Sequence, residues 1–382
     1  MLTRCAIAFA ATVAFVVAQD TTGTPQRFAN GLPRDETFFP IGVWLQAPAN
    51  AERYADLGVN LYVGLWQGPT KDQLDALAAA GMRVICAQND VALAYEKPVV
   101  VGWMHADEPD NAQGRRLTGY KPPIEPWRVV EAYERMHRAD PTRPVLLNLG
   151  QGAAWDGWHG RGERSGHPED YPEYLKGCDL ASFDIYPVSH AHADVTGRLE
   201  FVARGVRRLR DGTGDKKPVW AVLESAHVGG GNARPTPAQI RSSAWIAVCS
   251  GASGVVWFAH EFEPAFVEAG LLAHPEIAAA VREVNAAIAH DAVVLNSPRV
   301  SDAVIAKTAP AGEVALRVHR HGGALHVFAA SLGAAPARVT FEFAVPHGAR
   351  ATSDDGRELA LREHTFADDF PPYAFRRYRI PD

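Results

Sequence analysis

Cysteine is scarce in this sequence: there are four in 382 residues, and no two stand close together. A disulfide framework or a zinc ribbon needs tightly spaced pairs, so neither is expected. Cys86 and Cys249 lie in apolar runs, where a thiol serves as a small buried hydrophobe, and no catalytic thiol is expected. Strong charge of either sign is missing too. The formal net charge is −6 with no block of like charge, which argues against a nucleic-acid partner. Arg207-Arg208-Leu209-Arg210 comes nearest to a basic run, and it falls in a helical pattern as a solvated face. No apolar run is long enough for a comfortable membrane span. The stretch Cys5–Ala18 follows the positive Met1–Arg4 and ends in the small-residue site Val16-Val17-Ala18. That is the pattern of an export signal. Residues 1–18 are expected to be a signal peptide. The mature protein is then exported, periplasmic or extracellular, with no stable membrane insertion.

Eight short apolar runs alternate with helical patterns: 39–45, 59–66, 82–87, 99–104, 145–149, 180–186, 219–223 and 254–258. Most are continuous rather than alternating, as expected of parallel strands covered on both faces. Between them, AERYADLG and KDQLDALAAAG each end in a C-capping glycine. Pro126–Ala139 places Trp127, Val130, Tyr133 and Met136 at helical spacing. Leu199–Leu209, Pro237–Val248 and Pro275–Ala289 follow the same logic, and 90–97 is the least regular helix of the set. Eight βα units in this span match the size of a (β/α)8 TIM barrel. A doubly wound sheet would need a Gly-rich phosphate turn after its first strand, and IGVWLQAP has none. Beyond residue 295 the segments become short, β-rich and separated by Gly, Pro or Asp turns. The chain is therefore divided into a signal peptide (1–18), a linker (19–35), an α/β barrel (36–295) and a small C-terminal antiparallel β-sandwich (296–382).

In such a barrel the active site forms at the C-terminal ends of the strands. The polar residues there include Gln88, His105, Asp107, Glu108, Asn148, Asp184, Tyr186 and Glu224. Glu108 closes the fourth strand and Glu224 the seventh, on opposite sides of the barrel. Retaining glycoside hydrolysis uses two such carboxyls about 5–5.5 Å apart, one to protonate the leaving oxygen and one to attack the anomeric carbon; about 6.5–9.5 Å would admit a water and give inversion. For Glu108 to keep its proton near neutral pH its pKa must be raised. Like-charge repulsion from Asp107 and from Glu224 would act in that direction.

Asp107-Glu108-Pro109, Tyr186, Glu224 and Trp257 together resemble the pattern of clan A glycoside hydrolases. The resemblance covers roughly residues 36–292. It implies a (β/α)8 enzyme with Glu108 as acid/base and Glu224 as nucleophile, and no cofactor or metal. Its substrate would be an oligosaccharide or polysaccharide. The clan usually has Asn before the acid/base, where this chain has Asp107. An ionised Asp can accept a hydrogen bond from a sugar hydroxyl but cannot donate one.

The expected substrate-binding residues are Asp107, Tyr186, Trp257, Asn148, Trp44, His105 and Trp66. Tyr186 is expected to donate its hydroxyl to Glu224, Trp257 to floor the sugar, and His105 to share a side of the strand with Asp107. The long loop 150–172 carries Trp155, Trp158 and His159 among glycines and reads as a subsite or lid, or else as a variable surface excursion. One rival is a metal-dependent hydrolase built on His105, Asp107, His190 and His192. It is disfavoured because His190-Ala191-His192 follows the sixth strand and not the first. Another rival is a non-catalytic carbohydrate-binding barrel.

Overall fold

A computed structural model describes residues 19–20, 28–116, 119–231, 233–300, 304–309, 313–344 and 348–382. The expected signal peptide lies outside these residues. Eight parallel strands close into a barrel: β1 (Ile41–Trp44), β2 (Leu61–Val63), β3 (Arg83–Cys86), β4 (Val100–Met104), β5 (Val145–Leu149), β6 (Leu180–Asp184), β7 (Val219–Glu224) and β8 (Gly254–Phe258). Each is followed by helix: α1 (Ala51–Ala55), α2 (Lys71–Ala79), α3 (Asp90–Leu93), α4 (Pro126–Ala139), α5 (Tyr171–Tyr174), α6 (Glu200–Thr213), α7 (Pro237–Cys249) and α8 (Pro275–His290). The architecture is the (β/α)8 barrel expected from the continuous apolar runs. The segment 90–97 shrinks to the single turn α3. Gly58 and Gly81 end the α1 and α2 units at φ +79° and +66°, a backbone region that favours glycine. Thr70 and Thr236 start α2 and α7 with capping boxes to Gln73 and Gln239. Among the described residues no helix is long and apolar enough to cross a membrane.

Strand alternation divides the apolar residues into two layers. Trp44, Leu61, Val63, Ile85, Leu146, Trp220, Val222 and Val256 fill the barrel interior. Val43, Tyr62, Val84, Trp103, Leu147, Phe183, Leu223 and Trp257 pack outward against the helices. Gly254 sits beside Trp220, where a β-carbon would lie 2.7 Å from the indole, so the small residue makes room for the large one. The pairing of β3 with β4 carries a register shift between Val84 and Ile85. A bulge of this kind reverses which side chains face inward beyond it.

The C-terminal part is a sandwich of two antiparallel sheets. Its strands are β9 (Arg299–Val300), β10 (Val304–Ala309), β11 (Val314–His321), β12 (Ala324–Ser331), β13 (Ala337–Phe343), β14 (Arg350–Ser353), β15 (Glu358–Ala360), β16 (Thr365–Phe370) and β17 (Phe375–Pro381). One sheet runs β9-β11-β12-β17-β14-β15, extended by Gln19–Asp20 alongside β9, and the other runs β10-β13-β16. Val327, Phe341, Phe366 and Tyr378 lie in the core between them. The sandwich packs on α7. Trp245 stacks on Phe375 with ring centroids 3.8 Å apart and an interplanar angle of 4°. Buried Arg317 donates to the carbonyls of Val248 (3.2 Å), Ala252 (2.7 Å) and Leu295 (2.9 Å). It thereby supplies a cation at the C-terminal end of α7, where the helix dipole favours one.

Candidate active site

The mouth of the barrel is acidic on the side of β4 to β7. Glu108 follows β4 with a positive φ of 43°, although Pro109 comes next. A residue before proline is sterically held to extended backbone, so this conformation persists only because its surroundings impose it. Asn111 is part of those surroundings. Its Nδ2 donates to Glu108 Oε2 at 2.7 Å, and its Oδ1 accepts from Trp158 Nε1 at 2.8 Å. The loop after β5 therefore aims the carboxyl that follows β4. Below this contact, fully buried Asp110 accepts from Gly150 N–H (2.9 Å) and Tyr171 hydroxyl (3.2 Å). Arg161, buried like Asp110, donates to the Asp110 carbonyl and pairs with Asp170 at 2.7 Å. Loop 150–172 is thus a set of short 3-10 turns pinned to the β4 loop.

Burial is the main cause that pushes Glu108 up to about 7, with Asp107 and Asp110 adding repulsion while bonds from Asp184 and Asn111 oppose it. Asp184, at the inward end of β6, is the carboxyl that meets Glu108 directly. Burial first, and then the charges of Glu108 and Asp107, raise Asp184 well above the carboxylate range. Asp107 reaches solvent, but the walls around it still push its carboxyl up, against the Asn148 amide that donates to it at 2.9 Å. Ser182 in turn donates to Asn148 Oδ1 at 2.7 Å.

Glu224 ends β7 on the inward side and is buried. Its Oε1 accepts from Val188 N–H at 2.6 Å, and its Oε2 accepts from Ser189 N–H at 3.0 Å and Ser189 hydroxyl at 2.7 Å. Burial pushes Glu224 up to about 7, and these three donors hold it back from going higher. The rise expected for Glu108 from repulsion by Asp107 and Glu224 therefore has burial as its main cause; Asp107 adds to it, and Glu224 is not among its causes.

Several expected substrate contacts are placed elsewhere. Trp257 is 0% exposed on the outer face of β8 and donates to Asn285 at 3.0 Å, so it is a core residue; Phe258, its neighbour, takes the inward position. His105 faces outward, bonded to the Gly177 carbonyl at 2.7 Å, because the bulge in β4 reverses the face it would otherwise take. Tyr186 donates to Asp184 Oδ2 at 2.7 Å in place of Glu224. Trp44 is buried in the barrel interior. Trp66 is 67% exposed on the loop after β2. Asn148 and Asp107 are brought together with the carboxyl cluster.

Two aromatic groups flank the acids. On one side Trp155 and Trp158 contact His190, His192 and His159, with centroids between 4.7 and 6.4 Å apart. On the other, Tyr186, Phe258, His260, Phe262 and Phe266 form a continuous series, of which Phe262 (46%) and Phe266 (62%) are exposed. Among the described residues no group of three or more His, Cys, Asp or Glu is arranged to hold a metal ion. Sequence reasoning assigned no role to Asp184, Asn111, Ser189 or Phe258. Asp184 carried a signal, since an acid inside the apolar run LASFDIYP at an inward position needs a partner.

No family model matches the chain, and no curated protein does. Among solved structures it is similar to a Bacteroides fragilis protein described as a candidate alpha-galactosidase, at 10% identity and a TM-score of 0.53, over 91% of this chain and 80% of that one. It is also similar to AmyP in complex with maltose, at 9% identity and 0.51, over 90% and 96% of the two chains. A third structure, a glycoside hydrolase, gives 13% identity and 0.50, over 90% and 93%. The shared feature at these identities is the fold: a closed parallel barrel followed by antiparallel β-sheet.

Proposed function

We propose that the protein is an exported glycoside hydrolase that cleaves an oligosaccharide or polysaccharide with retention, using Glu108 as acid/base and Glu224 as nucleophile. The observation that carries this reading is Glu108, a carboxyl at the barrel mouth aimed by Asn111 and pushed up to about 7. An acid with a pKa near the working pH is suited to general acid and then general base catalysis. In the first step a Glu224 oxygen bonds to the anomeric carbon as the glycosidic C–O bond breaks, and the Glu108 proton passes to the leaving oxygen. In the second, Glu108 takes a proton from water, the water oxygen bonds to the anomeric carbon, and the bond to Glu224 breaks. Oε1 of Glu224 accepts from Val188 and, as a carboxylate oxygen, has a second acceptor direction for this role. The fold shared with AmyP, solved with maltose, supports a carbohydrate ligand, and the leader pattern of residues 1–18 supports export.

A panel of aryl glycosides and polysaccharides, read by proton NMR of the first product, tests the reading. Cleavage with retention that is abolished in Glu108→Gln and in Glu224→Gln is expected. Substantial activity in either variant would sink the assignment. The three donors on Glu224 favour a second reading, a non-catalytic carbohydrate-binding barrel with this carboxylate fixed as structure. Oligosaccharide binding without turnover, unchanged by Glu224→Gln, would select it. N-terminal sequencing of exported protein, with Gln19 first, checks the leader.

A further inference from the structure

One carboxyl that acts on Glu108, Asp184, comes from β6, and its surroundings have a chemical requirement. Asp184 Oδ2 accepts the Tyr186 hydroxyl at 2.7 Å. Asp184 Oδ1 is buried, and no N–H or O–H donor among the described residues reaches it. The group that acts on Asp184 from beside it is the Glu108 carboxyl, and each shifts the other's titration. Two carboxyl groups in contact have four oxygens and no donor unless one of them holds a proton. Leaving both ionised would bury two like charges side by side and strand an acceptor, each of which is costly.

We propose that Asp184 is a positioning residue that works as a neutral carboxylic acid, accepting from Tyr186 through Oδ2 and donating through Oδ1 to Glu108. The proposal rests on the reading of Glu108 as the acid/base. When Glu108 has given its proton to the leaving oxygen, the resulting carboxylate accepts from Asp184 on one side and from Asn111 on the other. Both donors strengthen as negative charge develops on Glu108, which is when stabilisation accelerates the step. The Asp184 proton itself is not transferred.

The groups that face Asp184 favour its neutral form. Glu108 and Asp107 reach it from the end of β4, and both are acidic. Tyr186, from its own strand end, is neutral and held so by burial beside Asp184. Asn148 on β5 is engaged by Asp107 and Ser182. Glu224 on β7, the neighbouring strand, directs its oxygens to Val188 and Ser189. Asp110 lies beyond Glu108, beside Arg161. Arg161, the cation beside Asp110, pairs with Asp110 and Asp170 rather than with Asp184.

An infrared difference measurement and a kinetic comparison test this. At pH 9, where Glu108 and Glu224 are ionised, wild type is expected to keep a protonated-carboxyl band that Asp184→Asn lacks. In Glu108→Gln the band should persist but shift, because its acceptor changes from carboxylate to amide; this arm holds even if Asp184→Asn fails to fold. The side-chain amide introduced by Asp184→Asn would offer the same acceptor to Tyr186 and the same kind of donor to Glu108. Asp184→Asn should therefore keep kcat within about fivefold, whereas Asp184→Ala should lose about 10- to 100-fold in kcat with little change in KM, as for a hydrogen bond to a charged group. Identical wild-type and Asp184→Asn spectra at pH 9, or equal losses in the Asn and Ala variants, would overturn the proposal. If wild type cleaves no glycoside, the glycosidase reading falls, and the infrared arm still decides whether Asp184 holds the proton.

Discussion

Gly150 lies so close to Glu108 that a β-carbon on it would sit 2.9 Å from Oε1, and 2.6 Å from Asn111 Nδ2. The φ of Gly150, −77°, is open to any residue, so space alone requires glycine here. Gly150→Ala should push the Glu108–Asn111 pair out of line. The expected result is a fall in kcat of about 100-fold, the scale of a 1 Å misplacement, in a protein that still folds. Activity within twofold of wild type would show that the pair moves without consequence.

Trp158 fixes the acid at one remove. Trp158→Phe removes the indole donor to Asn111 Oδ1 and leaves Asn111 free to turn away from Glu108. A loss in kcat of about 3- to 15-fold is expected, in proportion to one hydrogen bond. The acid limb of the pH profile should change little, because Glu224 does not share this contact. A change confined to KM would assign Trp158 to substrate binding alone.

The pH dependence follows from two carboxyls pushed to the same region. In the proposed mechanism Glu108 must hold its proton and Glu224 must have lost its own, and burial pushes both up to about 7. The acid fails as pH rises through 7, and the nucleophile fails as pH falls through 7. For two independent groups, about one quarter of molecules at pH 7 carry the competent pair. kcat/KM should form a bell centred near 7 that falls about threefold in the first unit on either side and approaches about tenfold per unit beyond. A plateau extending to pH 9 would contradict these assignments.

Stability should respond to the same groups with the opposite preference. Glu108 has a folded value of about 7 against an ordinary 4.5, so the folded state binds the extra proton. Its contribution is fully present below 4.5 and is lost as pH rises to 7. Glu108→Gln does not titrate, so its stability relative to wild type should rise across that window, by at most about 3 kcal/mol. Denaturant melts at pH 4.5 and pH 8 give the comparison. A difference that does not vary with pH would mean that Glu108 is not shifted.

Trp257 should behave as a core residue. Trp257→Phe strands Asn285 Oδ1 and should cost about 1–3 kcal/mol of stability while leaving KM unchanged. Phe258→Ala should raise KM instead, if substrate meets the aromatic series that begins at Tyr186. Thermal melts and kinetics on the two variants separate the roles.

The strands were legible because a parallel strand buried on both faces is written as a continuous apolar run, and GVVWF and VLLNL are such runs. For the same reason their facing was not legible. With no polar residue marking one face, GVVWF does not reveal that Phe258 points inward and Trp257 outward. In β4 the bulge near Gly102 adds a residue that no sequence pattern announces, and it carries His105 to the outer face. Glu224 was legible as the acid that ends its strand, whereas Glu108, expected at the end of β4, lies in the loop four residues beyond Met104. Their partners were not legible, because Asn111, Trp158 and Ser189 reach them through loops whose path depends on tertiary contacts such as Arg161 with Asp170.

Arg317 belongs to β11, yet three carbonyls it satisfies lie around α7 and the start of β8, at Val248 and Ala252, and at Leu295. Helix α7 directly follows β7, the strand that ends in Glu224. A chain cut after residue 298 would keep every acid of the mouth and lose this buried cation together with the Phe375 ring on Trp245. The sandwich is thus a keystone for the barrel rather than an appendage. The two parts are expected to melt in one transition, and shortening the chain from its C-terminus would silence a carboxylate that lies at the other end of the barrel strands.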